Sequence, residues 1–453
     1  MSAERMELLL KGNVVLPDGV RKNHLVGIKD RKIAGIYPDG EAPAAERLMD
    51  FGNQLIFPGV VDAHVHSFSN LKEQFAHSTA AAAAGGVTTI VEMPYDQGAP
   101  VSTPEIFQAK IDLVHRTAKV DVALLATLSK RGDPEVIEPL SALGACGFKL
   151  SVFETDPERF PRIDDDVLLE VLPHIAKTGL TVGFHAENDV IIESLIARFK
   201  AEGKLYPKAH CQTRPPISET LAVSKLLEFA YWTGAAVHIF HVSHPRCLEL
   251  IDWYRKQGVD VTAETCPHYL VLDEEDMDVH KAFCKINPPI RTKDDQDGLW
   301  SALKDGLIDW VASDHAPWPL DRKQNPNIFD NGSGAPGLEM ILPLMYHEAV
   351  AKRGFDPATL ANLLSSRPAE RFKLAPRKGS IAVGADADLV ILDPDCRWTC
   401  DASKSYSSAQ WSPYDGREIQ GRVSATILRG RVIYKDNKLL ASEAGGLFIP
   451  AQR

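Results

Sequence analysis

Two histidines separated by one residue end a short apolar segment, Pro58–His66. If this segment is a β-strand, its alternation points the side chains of His64 and His66 to the same side. Two neutral imidazoles that face one direction suit a borderline divalent metal ion. A His-x-His pair alone also arises by chance in a chain of 453 residues. A metal site therefore requires further ligands from distant parts of the sequence.

Strand-like and helix-like segments alternate through the middle of the chain. The apolar segments that read as strands are eight: 58–66, 87–93, 120–125, 146–152, 181–185, 236–241, 259–265 and 308–313. The helix-like segments between them include 167–177, 190–201, 218–232 and 248–257. This alternation predicts a (β/α)8 TIM barrel, an α/β fold whose chemistry sits at the C-terminal ends of the strands. An open doubly wound sheet is the structural alternative.

Both ends of the chain consist of short strand-like runs without long helices. These runs lie at 14–16, 25–28, 33–36, 384–392 and 423–430. Because chain termini often lie close together, we expect one small β-sandwich domain built from both ends. The expected divisions are 1–56 for the N-terminal part of the sandwich, 57–375 for the barrel and 376–453 for the C-terminal part and tail.

The composition indicates a globular protein rather than a membrane or nucleic-acid-binding one. The hydrophobic fraction of 44% and the charged fraction of 25% are ordinary for globular domains. With 50 basic and 61 acidic residues, the net charge of −11 argues against nucleic acid or an anionic membrane as partner. The chain shows neither a signal-peptide pattern nor an apolar run of roughly 20 residues, so we expect a cytoplasmic protein. Seven scattered cysteines do not indicate a disulfide framework.

Metal-capable side chains stand at the C-terminal ends of several predicted strands. They are His64 and His66 on the first strand, Lys149 on the fourth, His185 on the fifth, His241 on the sixth and Asp314 on the eighth. In a barrel all six would point to one mouth, and together they suit two ions roughly 3.5–4 Å apart. Lys149 is unusual in this set because a cationic amine repels metal ions. A carbamate on Lys149 would turn the amine into a bridging anion.

The order of these six residues resembles that of the amidohydrolase superfamily, in its binuclear cyclic amidohydrolase branch. Five local segments carry the resemblance further: Pro58–His66, Gly85–Thr89, Thr265–Tyr269, Asn287–Arg291 and Ser313–Pro317. The segment Trp411–Tyr414, followed by a strand that ends at Gly430, resembles allantoinases most closely. The resemblance covers almost the whole chain. It implies a hydrolase that acts on cyclic amides.

The resemblance also implies how two divalent ions would be held. One ion would be bound by His64, His66 and Asp314, the other by His185 and His241, with Lys149, modified to N6-carboxylysine, bridging the two. Zinc is expected, and manganese, cobalt or iron also accept these ligands. The implied reaction is ring opening of a small cyclic amide or ureide by a metal-bridging hydroxide, with Asp314 passing the proton to the leaving nitrogen. Relatives of this kind imply a homodimer or homotetramer.

Substrate contacts are implied for two residues outside the metal ligands. The segments that contain Asn287 and Ser333 approach the substrate ring in the family. We further predict that Phe68 and Phe153 give the pocket an apolar wall. The segment after the His-x-His pair, Ser67–Lys72, contains no arginine, whereas allantoinases and dihydroorotases usually carry one there.

The substrate class is open between two alternatives at this point. Glu154 stands five positions after Lys149, where hydantoinases and dihydropyrimidinases typically have a tyrosine. The candidate substrates are therefore allantoin on one side and 5-substituted hydantoins or dihydropyrimidines on the other. A non-catalytic dihydropyrimidinase-like assembly protein is a remote alternative, although such relatives lose metal ligands and this chain keeps all six. Glu187 and Asn188 would either steady the site or cap the helix that follows them, and we favour the cap.

Overall fold

The computed structural model describes residues 5–441 and 445–452, and within these residues the strands form two sheets of eight. The N-terminal strands are β1 (Met6–Leu16), β2 (Gly19–Lys29), β3 (Lys32–Pro38) and β4 (Ala45–Pro58). The central strands are β5 (Val60–Val65), β6 (Val87–Glu92), β7 (Asp121–Ala126), β8 (Gly147–Ser151), β9 (Thr181–His185), β10 (Val237–Ile239), β11 (Val261–Thr265) and β12 (Trp310–Val311). The C-terminal strands are β13 (Leu389–Thr399), β14 (Glu418–Leu428), β15 (Arg431–Lys435) and β16 (Lys438–Leu439).

The central strands β5 to β12 form the barrel, and each pairs in parallel with its neighbour in sequence. The barrel closes where Val65 pairs with His315 beyond β12, and the N–H of His66 donates to the carbonyl of His315 at 2.9 Å. The strands are apolar and buried because helices cover their outer face, as a parallel sheet requires. The predicted (β/α)8 barrel is confirmed, and every predicted strand lies at one of these positions.

Helices connect the barrel strands and cover the outside of the barrel. In the described part of the chain the α-helices are α1 (Gln74–Ala84), α2 (Pro104–Thr117), α3 (Ile137–Ala142), α4 (Asp165–Thr178), α5 (Asp189–Ala201), α6 (Ala209–Gln212), α7 (Pro216–Thr233), α8 (Pro245–Lys256), α9 (Pro267–Val271), α10 (Asp276–His280), α11 (Lys293–Lys304), α12 (Ile341–Met345), α13 (Pro357–Ala361) and α14 (Arg367–Arg371). Short 3₁₀ segments lie at Pro134–Val136, Lys281–Cys284, Leu320–Lys323, Ile328–Asp330, Leu338–Met340 and Ala402–Lys404, and π-helical turns at Tyr346–Ala351 and Asn362–Ser366. None of the helices described here has both the length and the apolar character that a membrane span requires.

Side-chain caps set the start of several of these helices. Asn188 caps α5 by accepting a hydrogen bond from the N–H of Ile191 at 3.1 Å. Thr103 caps α2 in the same way, and a proline occupies the first position of that helix. The cap predicted for Asn188 is confirmed, and the helices predicted from periodicity at 167–177, 190–201, 218–232 and 248–257 lie within α4, α5, α7 and α8.

The two ends of the chain meet in one mixed sheet with the order β16-β15-β14-β13-β4-β1-β2-β3. Strand β4 joins them, because it pairs in parallel with β1 on one side and antiparallel with β13 on the other. Residues from both ends share one buried core: Leu10, Val26, Ile56, Ile391 and Ile427. The predicted union of the termini is confirmed, although the hydrogen bonds run through a single continuous sheet. Residues 384–388, predicted as strand, precede β13 and begin at a turn where Gly384 has a φ of +90°.

An ionic cluster fastens this terminal sheet to the base of the barrel. The ammonium group of buried Lys378 lies 2.5 Å from Asp121 at the start of β7 and 2.6 Å from Asp388 next to β13. It also lies 2.8 Å from Asp386. The three carboxylates hold the pKa of Lys378 above its ordinary value even though burial opposes the charge. Arg429 also pairs with Asp121, and Lys32 and Arg377 pair with Asp386, so Lys378 is the cation that links all three carboxylates.

Replacing Lys378 by methionine is expected to lower the free energy of unfolding by about 3–5 kcal/mol, because Asp121, Asp386 and Asp388 lose the buried cation that they share. Equilibrium unfolding in urea measures this change. The matched control is Lys404→Met, since Lys404 is 81% exposed in a surface ion pair and its loss should leave stability unchanged. Equal stability of the two variants would show that the cluster is not required to hold the sheet on the barrel.

Candidate metal and active site

Three of the predicted ligands converge where β5 and β12 reach the barrel mouth. The Nε2 atoms of His64 and His66 lie 3.2 Å apart, because the alternation of β5 turns both rings into the barrel. Asp314 follows β12, and its Oδ1 lies 3.2 Å from Nε2 of His64 and 3.5 Å from Nε2 of His66. One ligand atom from each of the three residues can be chosen so that all lie within 4.8 Å of one another.

The other three predicted ligands lie beside this group. His185 ends β9 and His241 follows β10, and Nδ1 of His185 lies 3.0 Å from Nε2 of His241. Lys149 on β8 joins the two groups, because its Nζ lies 2.7 Å from Nε2 of His64. The rings of His64 and His241 stack with centroids 5.3 Å apart. The structure therefore brings all six predicted residues together at one mouth of the barrel.

Two of these residues have an unusual backbone conformation. His241 has a φ of +42° and Asp314 a φ of +47°, both in the left-handed region that glycine favours. Such a residue costs on the order of 1–3 kcal/mol and is found mostly at active sites and ligand sites. At the ends of β10 and β12 this conformation turns both side chains into the shared mouth.

Two buried carboxylates hold the outward-facing nitrogens of the imidazoles. Glu264 on β11 accepts hydrogen bonds from Nδ1 of His64 at 2.5 Å and from the indole N–H of Trp310 at 2.7 Å. With Nδ1 protonated in this way, Nε2 of His64 has a free lone pair directed at His66. Sequence reasoning did not single out Glu264, although a carboxylate inside an otherwise buried strand was a signal that could have found it.

Glu187 holds an imidazole of the second pair of histidines, that of His185, in a similar way. It accepts from Nε2 of His185 at 2.8 Å and from the guanidinium of Arg214 at 2.6 Å. Burial opposes the charge on Glu187, but Arg214 and His185 outweigh it and lower the pKa of its carboxyl to about 2. The predicted helix cap at Glu187 is wrong, because its side chain turns inward to His185 and Asn188 alone caps α5.

Burial also governs the charge of the six converging residues. Together with the repulsion of neighbouring cations, it holds the pKa values of His64, His66 and His241 well below their ordinary value. Burial lowers the pKa of Lys149 to about 8 and raises that of Asp314 to about 7. The imidazoles of His64, His66 and His241 are therefore neutral and keep the lone pairs that metal coordination requires.

The donor atoms fit a pair of divalent cations. Imidazole nitrogens face each other across 3.2 Å in one pair and 3.0 Å in the other, and each of these nitrogens carries a lone pair when its ring is neutral. Facing lone pairs repel unless a proton or a cation lies among them. Nitrogen and carboxylate donors of this kind suit zinc and its neighbours among the transition metals.

A cavity opens onto these residues from the barrel mouth. Its wall contains His66, Lys149, His185, His241 and Asp314, while His64 is fully buried behind them. Four residues that the sequence analysis did not single out also belong to the wall: Thr155, Arg159, Phe160 and Trp318. Phe160 and Trp318 provide aromatic surface, and Arg159 provides a positive charge.

The structure places the four predicted substrate contacts in two groups. Asn287 and Ser333 lie in the cavity wall, and in the amide orientation that satisfies both groups the Asn287 nitrogen lies 3.3 Å from Ser333 Oγ. Phe68 packs against Phe75, with ring centroids 4.9 Å apart. Phe153 lies beside His185, with centroids 5.8 Å apart. All four substrate contacts stay predictions.

Comparison with known proteins agrees with this geometry. The model of the amidohydrolase family matches residues 55–433. The chain is 36% identical over 449 residues to an allantoinase of Deinococcus radiodurans, covering 98% of this chain and 99% of that protein. It is 34% identical over 442 residues to an L-hydantoinase of Paenarthrobacter aurescens, covering 96% of each. It superposes on the L-hydantoinase (dihydropyrimidinase) from Arthrobacter aurescens with a TM-score of 0.95 at 33% identity, covering 98% of this chain and 100% of that one. By sequence and by structure, this chain belongs to the amidohydrolase family.

Proposed function

We propose that this protein is a metal-dependent hydrolase that opens the ring of a cyclic amide or ureide, with allantoin as the first candidate substrate. The observation that carries the proposal is the convergence of four imidazoles, a lysine and an aspartate at one mouth of the barrel. The similarity to an allantoinase over almost the whole chain supports the choice of substrate. A 5-substituted hydantoin is the second candidate, favoured by the similarity to an L-hydantoinase and by the absence of arginine in Ser67–Lys72.

The six converging residues would hold two divalent ions, zinc in the first instance. His64, His66 and Asp314 would bind one ion and His185 and His241 the other, with Lys149 carboxylated between them. The ions would supply Lewis-acid polarisation of the ring carbonyl and a water molecule of lowered pKa. Carboxylation joins the neutral Lys149 amine to the carbon of CO2 with loss of one proton. Starting from the ammonium form, two protons are lost, and a cation that repels metal ions becomes an anion.

Residues of the chain itself would transfer the proton, orient the histidines and contact the substrate. The Asp314 carboxylate would take the proton of the attacking water and deliver it to the ring nitrogen as the amide C–N bond breaks. Glu264 and Glu187 would keep His64 and His185 in the tautomer and orientation that binding requires. Asn287 and Ser333 would contact the substrate ring from the cavity wall.

Ring opening by the metal-loaded protein tests the proposed function. The panel comprises allantoin, hydantoin, 5-substituted hydantoins of both hands, dihydrouracil and dihydroorotate. Fastest turnover of allantoin would support the first candidate, and fastest turnover of a substituted hydantoin the second. A protein that holds two ions per chain and opens none of these rings would overturn the proposal and favour a non-catalytic relative.

Replacing Glu264 by glutamine is expected to weaken metal binding by about 10–100-fold, because the amide no longer accepts a strong hydrogen bond from His64. Titration with a competing chelator, followed by elemental analysis, measures the affinity and identifies the metal. Glu249→Gln is the matched control, since Glu249 pairs with Arg246 on the exposed surface of α8. Unchanged affinity in Glu264→Gln would mean that His64 needs no such support.

We also propose that the protein assembles as a homodimer or homotetramer. Large aromatic side chains are exposed on neighbouring helices, including Trp232 on α7 at 76% and Trp253 on α8 at 56%. Exposed aromatic surface of this kind is typical of protein interfaces. Sedimentation of the metal-loaded protein would report the assembly, and a monomer at micromolar concentration would contradict it.

A further inference from the structure

We propose that Arg159 determines substrate specificity by binding a carboxylate on the ring substituent of the substrate. The proposal rests on the proposed ring-opening function and adds the chemical class of the substituent. Arg159 lies in the loop between β8 and α4, and it shares the cavity wall with the residues that would hold the metal ions.

The loop holds Arg159 in a defined place at the cavity. Its backbone N–H donates to Oδ1 of Asp156 at 2.8 Å, and the N–H of Phe160 donates to the carbonyl of Asp156 at 2.9 Å. The ring of Phe160 stacks on Tyr95 with centroids 3.5 Å apart and lies 5.7 Å from Nζ of Lys149. Arg159 is therefore the immediate neighbour of a residue anchored beside the metal ligands.

The guanidinium of Arg159 has unused hydrogen-bonding capacity. Its Nε is buried without a hydrogen-bond partner. Among residues 5–441 and 445–452, no carboxylate lies within 4.0 Å of its nitrogens, and no side-chain hydrogen bond satisfies them. A half-buried guanidinium that lacks a partner within the chain is suited to receive one from a ligand.

The electrostatic setting favours an anion at this part of the cavity. The guanidinium groups of Arg159 and Arg322 both lie near Trp318, 5.8 Å and 5.0 Å from its ring centroid. Asp314 is the acidic residue of the cavity wall, and its carboxylate faces His64 and His66 instead of Arg159. A negative ring substituent would meet Arg159 in the cavity wall, with the exposed guanidinium of Arg322 nearby. Asp156 and Asp96 also act on Arg159, and the chain as a whole carries a net charge of −11.

A carboxylate is the anion that matches these donors best. The planar guanidinium presents parallel N–H groups that a carboxylate accepts in a bidentate manner, and the Nε–H of Arg159 has no hydrogen-bond partner among the described residues. The segment Ser67–Lys72 contributes no arginine, so the cationic group of the cavity comes from the loop after β8 instead. The expected substrates are cyclic amides whose ring carbon bears a carboxyalkyl group. They belong to the 5-substituted hydantoins, so this inference favours the second candidate over allantoin, whose substituent is a neutral ureido group.

A matched pair of substrates tests this inference. Hydantoin-5-acetic acid and its primary amide have nearly the same size and differ in charge, and unsubstituted hydantoin serves as the reference. We expect the metal-loaded full chain to have a higher kcat/KM for the acid than for the amide. In Arg159→Gln the ratio of acid to amide should fall by about 10–100-fold, while kcat/KM for hydantoin changes by less than about threefold.

Two further variants separate recognition from structure. Arg159→Lys keeps the charge without the planar fork and should recover only part of the acid preference. Arg322→Gln removes the exposed guanidinium that also lies near Trp318 and should change the ratio far less than Arg159→Gln. The proposal would be overturned if kcat/KM fell equally for the acid and the amide in Arg159→Gln. It would also be overturned if the wild-type protein had the higher kcat/KM for the amide.

Binding of an unreactive ligand distinguishes failure of this inference from failure of the proposed function. A cyclic urea with a carboxymethyl group lacks the second ring carbonyl of a hydantoin, and its affinity can be measured by calorimetry without turnover. Tighter binding of the acid than of its amide, lost in Arg159→Gln, would support the role of Arg159 even if no ring is opened. Equal binding of acid and amide by the wild-type protein would overturn that role whatever the activity.

Discussion

Replacing Lys149 by alanine is expected to remove the bound metal and the ring-opening activity together, with a loss in kcat of about 10³-fold or more. The reason lies in its place between the two ligand groups, with Nζ 2.7 Å from His64 and the side chain fully buried. Alanine leaves no atom there that could carry a carbamate. Elemental analysis of the purified variant and turnover of the preferred ring substrate measure the two effects.

The same experiment includes its controls. Added bicarbonate should not restore the Lys149→Ala variant, because no amine remains to be carboxylated. Lys130→Ala is the matched control, since Lys130 is 46% exposed and pairs with Glu154 on the surface. It should retain metal and activity. Full activity in Lys149→Ala would refute the bridging role, and loss of metal from both variants would point to a general effect on the site.

Replacing Asp314 by asparagine is expected to leave bound metal in place and to lower kcat by about 10²–10⁴-fold. The asparagine oxygen can still coordinate, but a neutral amide cannot take a proton from water and return it to the leaving nitrogen. Asparagine also tolerates the left-handed backbone that Asp314 adopts at a φ of +47°, so the exchange does not strain the chain.

Three measurements on the Asp314→Asn variant distinguish a role in proton transfer from a structural role: its metal content, its kcat and its thermal unfolding midpoint. Unchanged unfolding and retained metal with slow turnover would support the proton-transfer role. Asp321→Asn, in the exposed 3₁₀ segment after the same strand, should behave like the wild type. Rapid turnover in Asp314→Asn would assign the proton transfer to another group, whereas an unfolded variant would identify Asp314 as a structural residue.

The sequence alone determined the barrel, the union of the termini and the convergence of the six residues. Side chains alternate along a strand with a period of two, so the spacing of His64 and His66 predicts that both rings enter the barrel. The carboxyl ends of parallel strands meet at one face, so residues at those ends must come together even when 250 positions separate His64 from Asp314. These features follow from local periodicity and from the geometry of a parallel barrel.

Only the tertiary structure decided which groups support and surround the site. Glu264 lies 200 positions from His64, and nothing in the local pattern of β11 indicates which histidine it holds. Glu187 faces His185 instead of capping a helix because Arg214, from a distant loop, pairs with it. Two contacts hold the loop with Arg159 and Phe160 at the cavity: a backbone hydrogen bond within the loop, and the stacking of the Phe160 ring on Tyr95. Long-range packing sets such contacts, and loops have no fixed period from which a side chain's direction can be read.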